Sequence, residues 1–484
     1  KKQWFYSIFV NMNNTSKYQN KKSFWTELKQ IFTNKQVLVS FIATLVLLIL
    51  FRIGSSLTMP GLTVNTSQQE NAQQSFLGIL NLLGGGGVSR LSFMAIGVSP
   101  YITAQIIIQL LSSDLIKPLT RLSKAGERGK RKLEIITRLL TIPFAIMQAY
   151  AVLSLAGTQG LVSSFFGESS LSNVHGGQIA LLLLGMTAGT FLTLFISDII
   201  SKRGVGNGVT LIILSGIVAS IYPNFSNVYM ILTSSGSITN ELLKYFSFIV
   251  YLVFFIIILL ATTFMNGSVR KIPIQQIGQG LSKEIDEMPY LPIKLNAAGV
   301  IPVIFASSIM TIAPTIAQFL PSNSDGVALI NNYLSIETPV GLTIYAVLII
   351  LFGFFYSHIQ VNSEKLSENF QKSGKFIPGV KMGEETQKYI SRTLNRINFI
   401  GVPFLTIIAI IPYLITMTTS IPNGIAIGGT GVIIMVTGSL EFWSSLKSSQ
   451  TNYTYSNLTK GLKKSNEYEI QGNKQETSET KRLW

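Results

Sequence analysis

The sequence has no cysteine and only two histidines, and charged residues fill just 12% of its 484 positions. Without cysteine there is no disulfide, no thiolate metal site and no cysteine nucleophile. His175 and His358 stand far apart, and neither an HExxH stretch nor a Walker A sequence occurs. The chain therefore carries no histidine-held metal centre and no P-loop for ATP. Soluble domains are roughly 25% charged, so so few charges cannot cover the surface of a soluble protein of this length. With a mean hydropathy of +0.42, this excludes a soluble enzyme, a disordered chain and a fibrous protein. What remains is a polytopic helical membrane protein. A secretory leader is missing too: the first residues are polar and rich in Lys and Asn, with no small-residue cleavage site. Lys1 stands where Met would begin a chain, so the true start is left open.

What the sequence does have is long apolar runs. A helix needs about 20 residues to cross ~30 Å of hydrocarbon. Ten runs approach that length: Val37–Ile53, Phe93–Leu111, Ile135–Leu155, Gln178–Ser197, Gly208–Tyr222, Phe246–Met265, Ala297–Leu320, Gly341–His358, Ile397–Met417 and Gly429–Leu446. Ten spans put both termini on one side.

Basic residues outnumber acidic ones, 38 to 22, for a net charge of +16. Nucleic-acid binding, attraction to anionic lipid and topology marking could each explain that excess, and position decides between them. Assigned alternately to two faces, the connecting segments carry 35 of the 38 Lys and Arg on one face. Only Arg90 and Lys244 lie on the other, and Arg52 ends the first span. This positive-inside asymmetry places the termini and the two long basic connections in the cytoplasm, with a juxtamembrane attraction to anionic lipids beside it. Five spans lie on each side of the segment around Pro223–Asn240. Halves with an odd number of spans insert with opposite orientation, the arrangement of inverted-repeat transporters and channels. No residue-level repeat is evident, so the symmetry rests on span counting.

One segment on the less basic face stands out. Ser75–Arg90 reads SFLGILNLLGGGGVSR, a short apolar stretch followed by Gly84, Gly85, Gly86 and Gly87. Spacing alone favours a half-buried surface helix ending in a flexible loop. The functional alternative is a re-entrant or mobile element lying within protein. In the second span, Pro100, Thr103, Gln105 and Gln109 interrupt the apolar run, and Gln109 should face a partner helix or water. The seventh span has a similar stretch, GVIPVIFASS, Gly299–Ser308. Ordinary helix packing accounts for these small polar residues as well as a pathway does. The spans hold almost no ionisable groups, unlike those of ion-coupled transporters. Asp198, His175 and His358 lie at span ends or in loops and read as structural. GVGNG, Gly204–Gly208, reads as a helix start.

Several stretches together resemble the SecY family, the central subunit of the bacterial protein-conducting channel. They are FRIGS (Phe51–Ser55), Gly84–Leu111, GERGKRKL (Gly126–Leu133), RGVGNGVTLIILSGI (Arg203–Ile217) and RKIPIQ (Arg270–Gln275). LPIKLNAAGVIPVIFASSI (Leu291–Ile309), Gln360–Ile397 and GGTGVII (Gly428–Ile434) complete the set in family order, without a large insertion. Their style is similar to that of low-GC Gram-positive bacteria.

The resemblance implies an all-α fold: two inverted five-helix halves forming an hourglass pore, with a short re-entrant plug. Motif matching puts a waist of aliphatic side chains at Val98, Ile102, Ile213, Ile304 and Ile434. Such residues grip an extended peptide without hydrogen bonds and exclude water when it is absent; read without the family, each is core or lipid-facing. Ser75–Arg90 becomes the plug, with Ser75, Phe76, Leu77, Ile79, Leu80, Leu83 and Arg90 in it and the four glycines as hinge. A lateral gate would open between the second and third spans on one side and the seventh and eighth on the other. Gln109, Asn207 and Ser308 would be polar members at or near that seam, in contacts of about 0.6–2 kcal/mol each.

The connections Asn266–Asn296 and Gln360–Arg396 resemble docking loops for the ribosome and the SecA motor ATPase, through Arg270, Lys271, Lys375, Lys381, Lys388, Arg392 and Arg396. Two departures bear on that docking. Lys381–Met382 replaces a preferred Arg-Pro and loses the bidentate fork of arginine, and Gln276–Glu287 is partly acidic where relatives are basic. The expected organisation is a cytoplasmic segment 1–36, a first half 37–222 with the plug at 75–90, and a connection 223–245. A second half 246–446 with loops 266–296 and 360–396 follows, then a polar tail 447–484. Lys21–Lys35 could form an interfacial helix with Phe24, Trp25, Ile31 and Phe32 toward lipid. Implied partners are SecE-like and SecG-like membrane subunits, SecA, the ribosome, signal sequences, nascent or preprotein chains, and anionic lipids. No cofactor, metal or catalytic site is expected. A solute transporter is the rival reading, disfavoured by the uncharged core, and an intramembrane enzyme is a remote third.

Overall fold

The computed structural model describes residues 34–64, 80–81, 84–158, 162–166, 174–234, 241–277, 289–320, 324–336, 338–418 and 430–451. Ser75, Phe76, Leu77, Ile79 and Leu83 of the expected plug lie outside the described residues. So do 278–288, the polar tail from 452 and nearly all of the segment expected as an interfacial helix.

Each of the ten apolar runs carries a helix. In chain order the helices are α1 (Lys35–Ser56), α2 (Ser99–Leu110), α3 (Lys117–Lys124), α4 (Gly126–Thr158), α5 (Gly176–Arg203) and α6 (Gly208–Ser234). Then come α7 (Glu241–Gly267), α8 (Ile301–Ala317), α9 (Asp325–Leu329), α10 (Pro339–Gln360), α11 (Ser363–Lys372), α12 (Glu384–Thr418) and α13 (430–451). Among the described residues, α1, α4, α5, α6, α7, α10 and α12 are long and apolar enough to cross a membrane. The shorter α2 and α8, and the 22-residue α13, occupy the other three runs. In lipid every backbone N–H and C=O must be bonded within the protein, which helices achieve segment by segment. Buried hydroxyls follow the same rule: Thr103, Thr141, Thr190, Thr193, Thr262 and Thr315 each donate to the carbonyl four residues back.

Three boundaries differ from the sequence reading, each for a local reason. The second run begins at Phe93, but helix α2 starts only at Ser99, because positive-φ Gly97 and the following proline enforce a turn first. The fifth run was read as ending at Tyr222, but α6 continues through Pro223 to Ser234, where apolar residues resume. That helix occupies the first part of the expected connection. The ninth run begins at Ile397, but α12 starts at Glu384: Glu384 and Glu385 suit its N-terminal dipole, and Glu384 pairs with Lys388 at 2.6 Å.

The chain divides into two compact units. In one, residues 34–46, Ile200–Gly206 and 441–451 gather around buried Val37, Val205 and Leu446, with Phe41, Phe442 and Trp443 packed on them. The Val205 N–H donates to Thr44 Oγ1 at 3.0 Å. The other holds Leu47–Ile199 and Asn207–Leu440. There β1 (Leu62–Val64) pairs antiparallel with β2 (Val162–Phe165), above a core that includes Leu80, Val88, Ile96, Leu153 and Met186. Arg138 ties α4 to α5, donating to Asp198 and to Glu134 at 2.6 Å each. Asp198 thus has the structural role expected of it.

The two long connections of the more basic face fold together. Strand β3 (Val269–Pro273) pairs antiparallel with β5 (Tyr290–Lys294), and β4 (Gln275–Gln276) pairs with β6 (Lys375–Phe376). Ile272, Ile274, Ile293, Phe370, Ile377, Ile390 and Leu394 make their common core.

Two glycines allow a test of how the chain turns. Gly97 (φ +55°) would place an added Cβ 2.0 Å from Gly84 O, whereas Gly126 (φ +69°) has nothing within 4 Å. Gly126→Ala should cost about 1–2 kcal/mol, the left-handed penalty alone, and Gly97→Ala distinctly more. Apparent melting temperatures of the detergent-solubilised variants check this; equal shifts would mean the Gly97–Gly84 approach is not what holds the turn.

Candidate functional site

The expected waist residues are all buried: Val98 and Ile434 are 0% exposed, Ile213 1%, Ile102 4% and Ile304 8%. Lipid-facing residues such as Ile135 (66%) and Leu139 (67%) behave quite differently, so the five point inward. Each sits at a helix beginning. Val98 precedes α2 and Ile102 lies in its first turn, Ile304 lies in the first turn of α8, and Ile213 and Ile434 lie in the second turns of α6 and α13. Helices α2 and α8 pack on each other. Helices α6 and α13 meet where Gly438 leaves room for Thr210 and Leu214, a Cβ there lying 3.4 Å from Thr210 Cγ2. The structure thus buries all five at the starts of two pairs of neighbouring helices.

The α2 and α8 entrances are copies of one motif. Residues 95–102 and 297–304 share the pattern A-x-G-V-x-P-x-I. In both, the glycine has positive φ (Gly97 +55°, Gly299 +66°) and donates three residues back, to Met94 O and Asn296 O. In both, proline stands in the first turn, where its missing N–H costs nothing. The Ile102 N–H bonds Val98 O as the Ile304 N–H bonds Val300 O. This residue-level repeat between the halves escaped the sequence reading, although its signal was present.

The four glycines form a packed corner. Gly85 (φ +84°) and Gly86 (φ +90°) turn in a conformation that favours glycine. A Cβ on Gly84 would lie 2.6 Å from Ala95 O, and one on Gly216 of α6 would lie 2.5 Å from Gly85 C. Asn81 secures the turn: its carbonyl accepts from Gly86 N at 2.7 Å, and its Oδ1 accepts from Val88 N at 3.0 Å. Leu80 is fully buried in the α4–α5 core, and Arg90 is exposed.

At the expected seam, α8 packs against α2, α4 and α10. The Ser154 hydroxyl of α4 donates to Gln318 Oε1, just beyond α8, at 3.3 Å, and the Tyr150 and Phe319 rings stack at 4.8 Å. These helices carry buried polar atoms without a hydrogen-bond partner: Ser99 Oγ and Gln109 Oε1 on α2, Gln148 Oε1 on α4 and Ser308 Oγ on α8. Gln109 and Ser308 were expected there; Gln148, Ser154 and Gln318 were not, since a lone polar residue in a long apolar run gives no direction. Asn207 caps α6, its Oδ1 accepting from Val209 N at 3.0 Å.

The expected docking cations Arg270, Lys271, Lys375, Lys381, Lys388, Arg392 and Arg396 are all exposed, on the subdomain that β3–β6, α11 and the start of α12 build together. Lys271 Nζ lies 4.7 Å from the Tyr290 ring centroid. Lys381 tops a turn made by Gly379 (φ +80°) and Gly383 (φ +94°), and its carbonyl accepts from Thr386 Oγ1 at 2.8 Å. Lys388, Arg392, Arg396 and the 75%-exposed Phe399 line one groove of about 630 Å³.

The SecY family model matches residues 92–443. The protein translocase subunit SecY of Mycoplasma pneumoniae is 48% identical over 449 residues, covering 93% of this chain and 93% of that one. Among solved structures, one described as a protein conducting channel aligns with a TM-score of 0.57 and 18% identity, over 84% of this chain and 91% of its own. Another, of a SecY protein whose plug domain is described as stabilising the closed state, aligns with a TM-score of 0.56 and the same identity and coverage. At that identity the two structures establish the shared fold.

The unpartnered Gln148 carbonyl oxygen carries a desolvation penalty that an apolar residue of like size would not. Gln148→Leu should therefore stabilise the folded chain by about 1–3 kcal/mol and raise the apparent melting temperature. A fall on the same measurement would show that the amide makes a bond worth keeping.

Proposed function

The chain belongs to the SecY family, and from that membership we propose that it is the pore subunit of a protein translocase in a bacterial inner membrane, with both termini cytoplasmic. The observation that carries the reading is the burial of branched residues at the starts of four helices: Val98, Ile102 and Ile304 at α2 and α8, and Ile213 and Ile434 on α6 and α13. An aliphatic ring contacts an extended chain by dispersion alone, so it accepts any sequence. When empty, its narrow apolar bore holds no water column and passes no ions. The uncharged spans speak against a solute carrier coupled to an ion gradient.

The segment ending at the glycine corner is the plug, and 75–90 moves aside when a chain enters. A signal sequence or membrane helix leaves sideways between α2 and α4 on one side and α8 and α10 on the other. It replaces the Ser154–Gln318 bond, the Tyr150–Phe319 stack and a few unpartnered polar atoms. These are weak enough contacts for a gate that must open repeatedly. The chain supplies no chemistry of its own; SecA or a translating ribosome drives transport, docking through the exposed cations of the β3–β6 subdomain. SecE-like and SecG-like subunits accompany it, and anionic lipids meet the basic membrane border. The two five-helix halves, the first carried by α6 to Ser234 and the second beginning with α7 at Glu241, are the moving bodies.

The absence of native cysteine makes the test clean. Ile304→Cys is assembled with a secretory preprotein bearing one cysteine and stalled halfway across. Oxidation should crosslink the two, and should not when the cysteine is moved to exposed Ile257 on α7. A confirmed stalled chain that fails to crosslink at 304 would remove Ile304 from the pore.

A further inference from the structure

Arg52 is a cation in the last turns of α1, within a membrane-spanning segment, and both of its hydrogen bonds go to main-chain carbonyls. Nη1 donates to Gly85 O at 3.0 Å, and Nη2 donates to Ser215 O of α6. Its Cζ lies 5.9 Å from the Phe51 ring centroid. Phe51 is itself fully buried and presses on the same corner: a Cβ on Gly85 would lie 2.8 Å from Phe51 Cζ. Among the described residues no carboxylate forms an ion pair with Arg52. One guanidinium thus joins three pieces of backbone: the end of α1, the glycine corner, and α6 two residues beyond Ile213.

A charge in such surroundings is expensive unless its hydrogen bonds are made. Its partners here belong to two elements that must separate if the corner moves. The planar fork of arginine reaches both carbonyls at once, which the single ammonium of lysine does with less geometric constraint. We propose that Arg52 is the latch of the closed channel, a positioning residue whose bridge from Gly85 O to Ser215 O holds the glycine corner against the helix that carries Ile213. The proposal rests on the reading of 75–90 as a plug. When the corner leaves, the guanidinium loses one carbonyl while staying on α6, so the bridge favours the closed state only.

The test uses the chain reconstituted with its membrane partner subunits in planar bilayers. Ion leak without preprotein is measured, and vesicles report translocation of a preprotein with a weakened signal sequence. Arg52→Gln should raise the leak roughly tenfold, the shift expected when a charged hydrogen bond is lost from one side of a two-state equilibrium. It should also admit the weakened preprotein, while an intact preprotein moves as before. Arg52→Lys should fall between. Deletion of residues 75–83 should leak by itself, and Arg52→Gln should add nothing to it. A deletion that leaks beside an Arg52→Gln channel as tight as the native one overturns the latch and leaves the plug reading standing. An equal further leak from Arg52→Gln in the deletion background also overturns it, because Arg52 would then act on helix packing alone. A tight channel after the deletion defeats the plug reading itself. If Arg52→Gln does not accumulate in the membrane, Arg52→Lys decides, and a native leak in that variant overturns the latch.

Discussion

Non-helical backbone can lie among membrane helices only when protein covers it on every side, and here glycine makes that possible. Between Gly85 and Ser99 the chain leaves α-helical geometry, and its peptide groups have no lipid-compatible alternative to bonding within the protein. Gly84 and Gly97 approach each other, and Gly85 approaches Gly216, at distances that leave no room for a Cβ. Those contacts bring the corner against α6 and fix where α2 begins. The position of Val98 and Ile102 depends on that beginning, and so does the face α2 presents to α8. Nearly everything functional in the first half hangs on a few backbone-to-backbone distances.

The same economy explains what the sequence disclosed and what it hid. Apolar runs report membrane helices because hydrocarbon thickness fixes their length, and each of the ten runs does carry a helix. Charge position was legible for the same reason. Contacts were not. The A-x-G-V-x-P-x-I repeat is short, and span counting looks for composition rather than for turns, so the relation between Ile102 and Ile304 emerged only from matching dihedral angles and hydrogen bonds. Gln148, Ser154 and Gln318 are single polar residues in or beside apolar helices, and nothing in a periodicity says which way they face. Arg52 was visible as a charge to be counted and as a member of the FRIGS stretch, without a partner assigned. The ladder of Gln275–Gln276 with Lys375–Phe376 joins two-residue strands far apart in the chain, too short for any alternation to show.

The region where α2, α4 and α8 meet mixes apolar packing with buried polar atoms that no hydrogen bond reaches. A fully satisfied polar network would rigidify it, and a wholly apolar one would pack like any core. Instead Ser99, Gln109, Gln148 and Ser308 keep buried oxygens without partners, each carrying a penalty of about 1–3 kcal/mol.

The β3–β6 subdomain bears on the pore through a short polar chain. Strand β5 ends at Lys294, and two residues later Asn296 donates from Nδ2 to Asn266 Oδ1 at 3.0 Å and to Gly299 O at 3.1 Å. Asn266, at the end of α7, donates in turn to Thr437 Oγ1 of α13 at 3.2 Å. One amide pair therefore holds the positive-φ glycine that starts α8 and ties it to the helix carrying Ile434. The β3–β5 hairpin cannot shift relative to α13 without breaking these bonds or carrying the α8 entrance with it. Of the residues expected at the waist, Ile304 lies on α8 and Ile434 on α13. The hairpin is thus joined to both helices through main chain and two asparagines, with no long path of side-chain repacking between them.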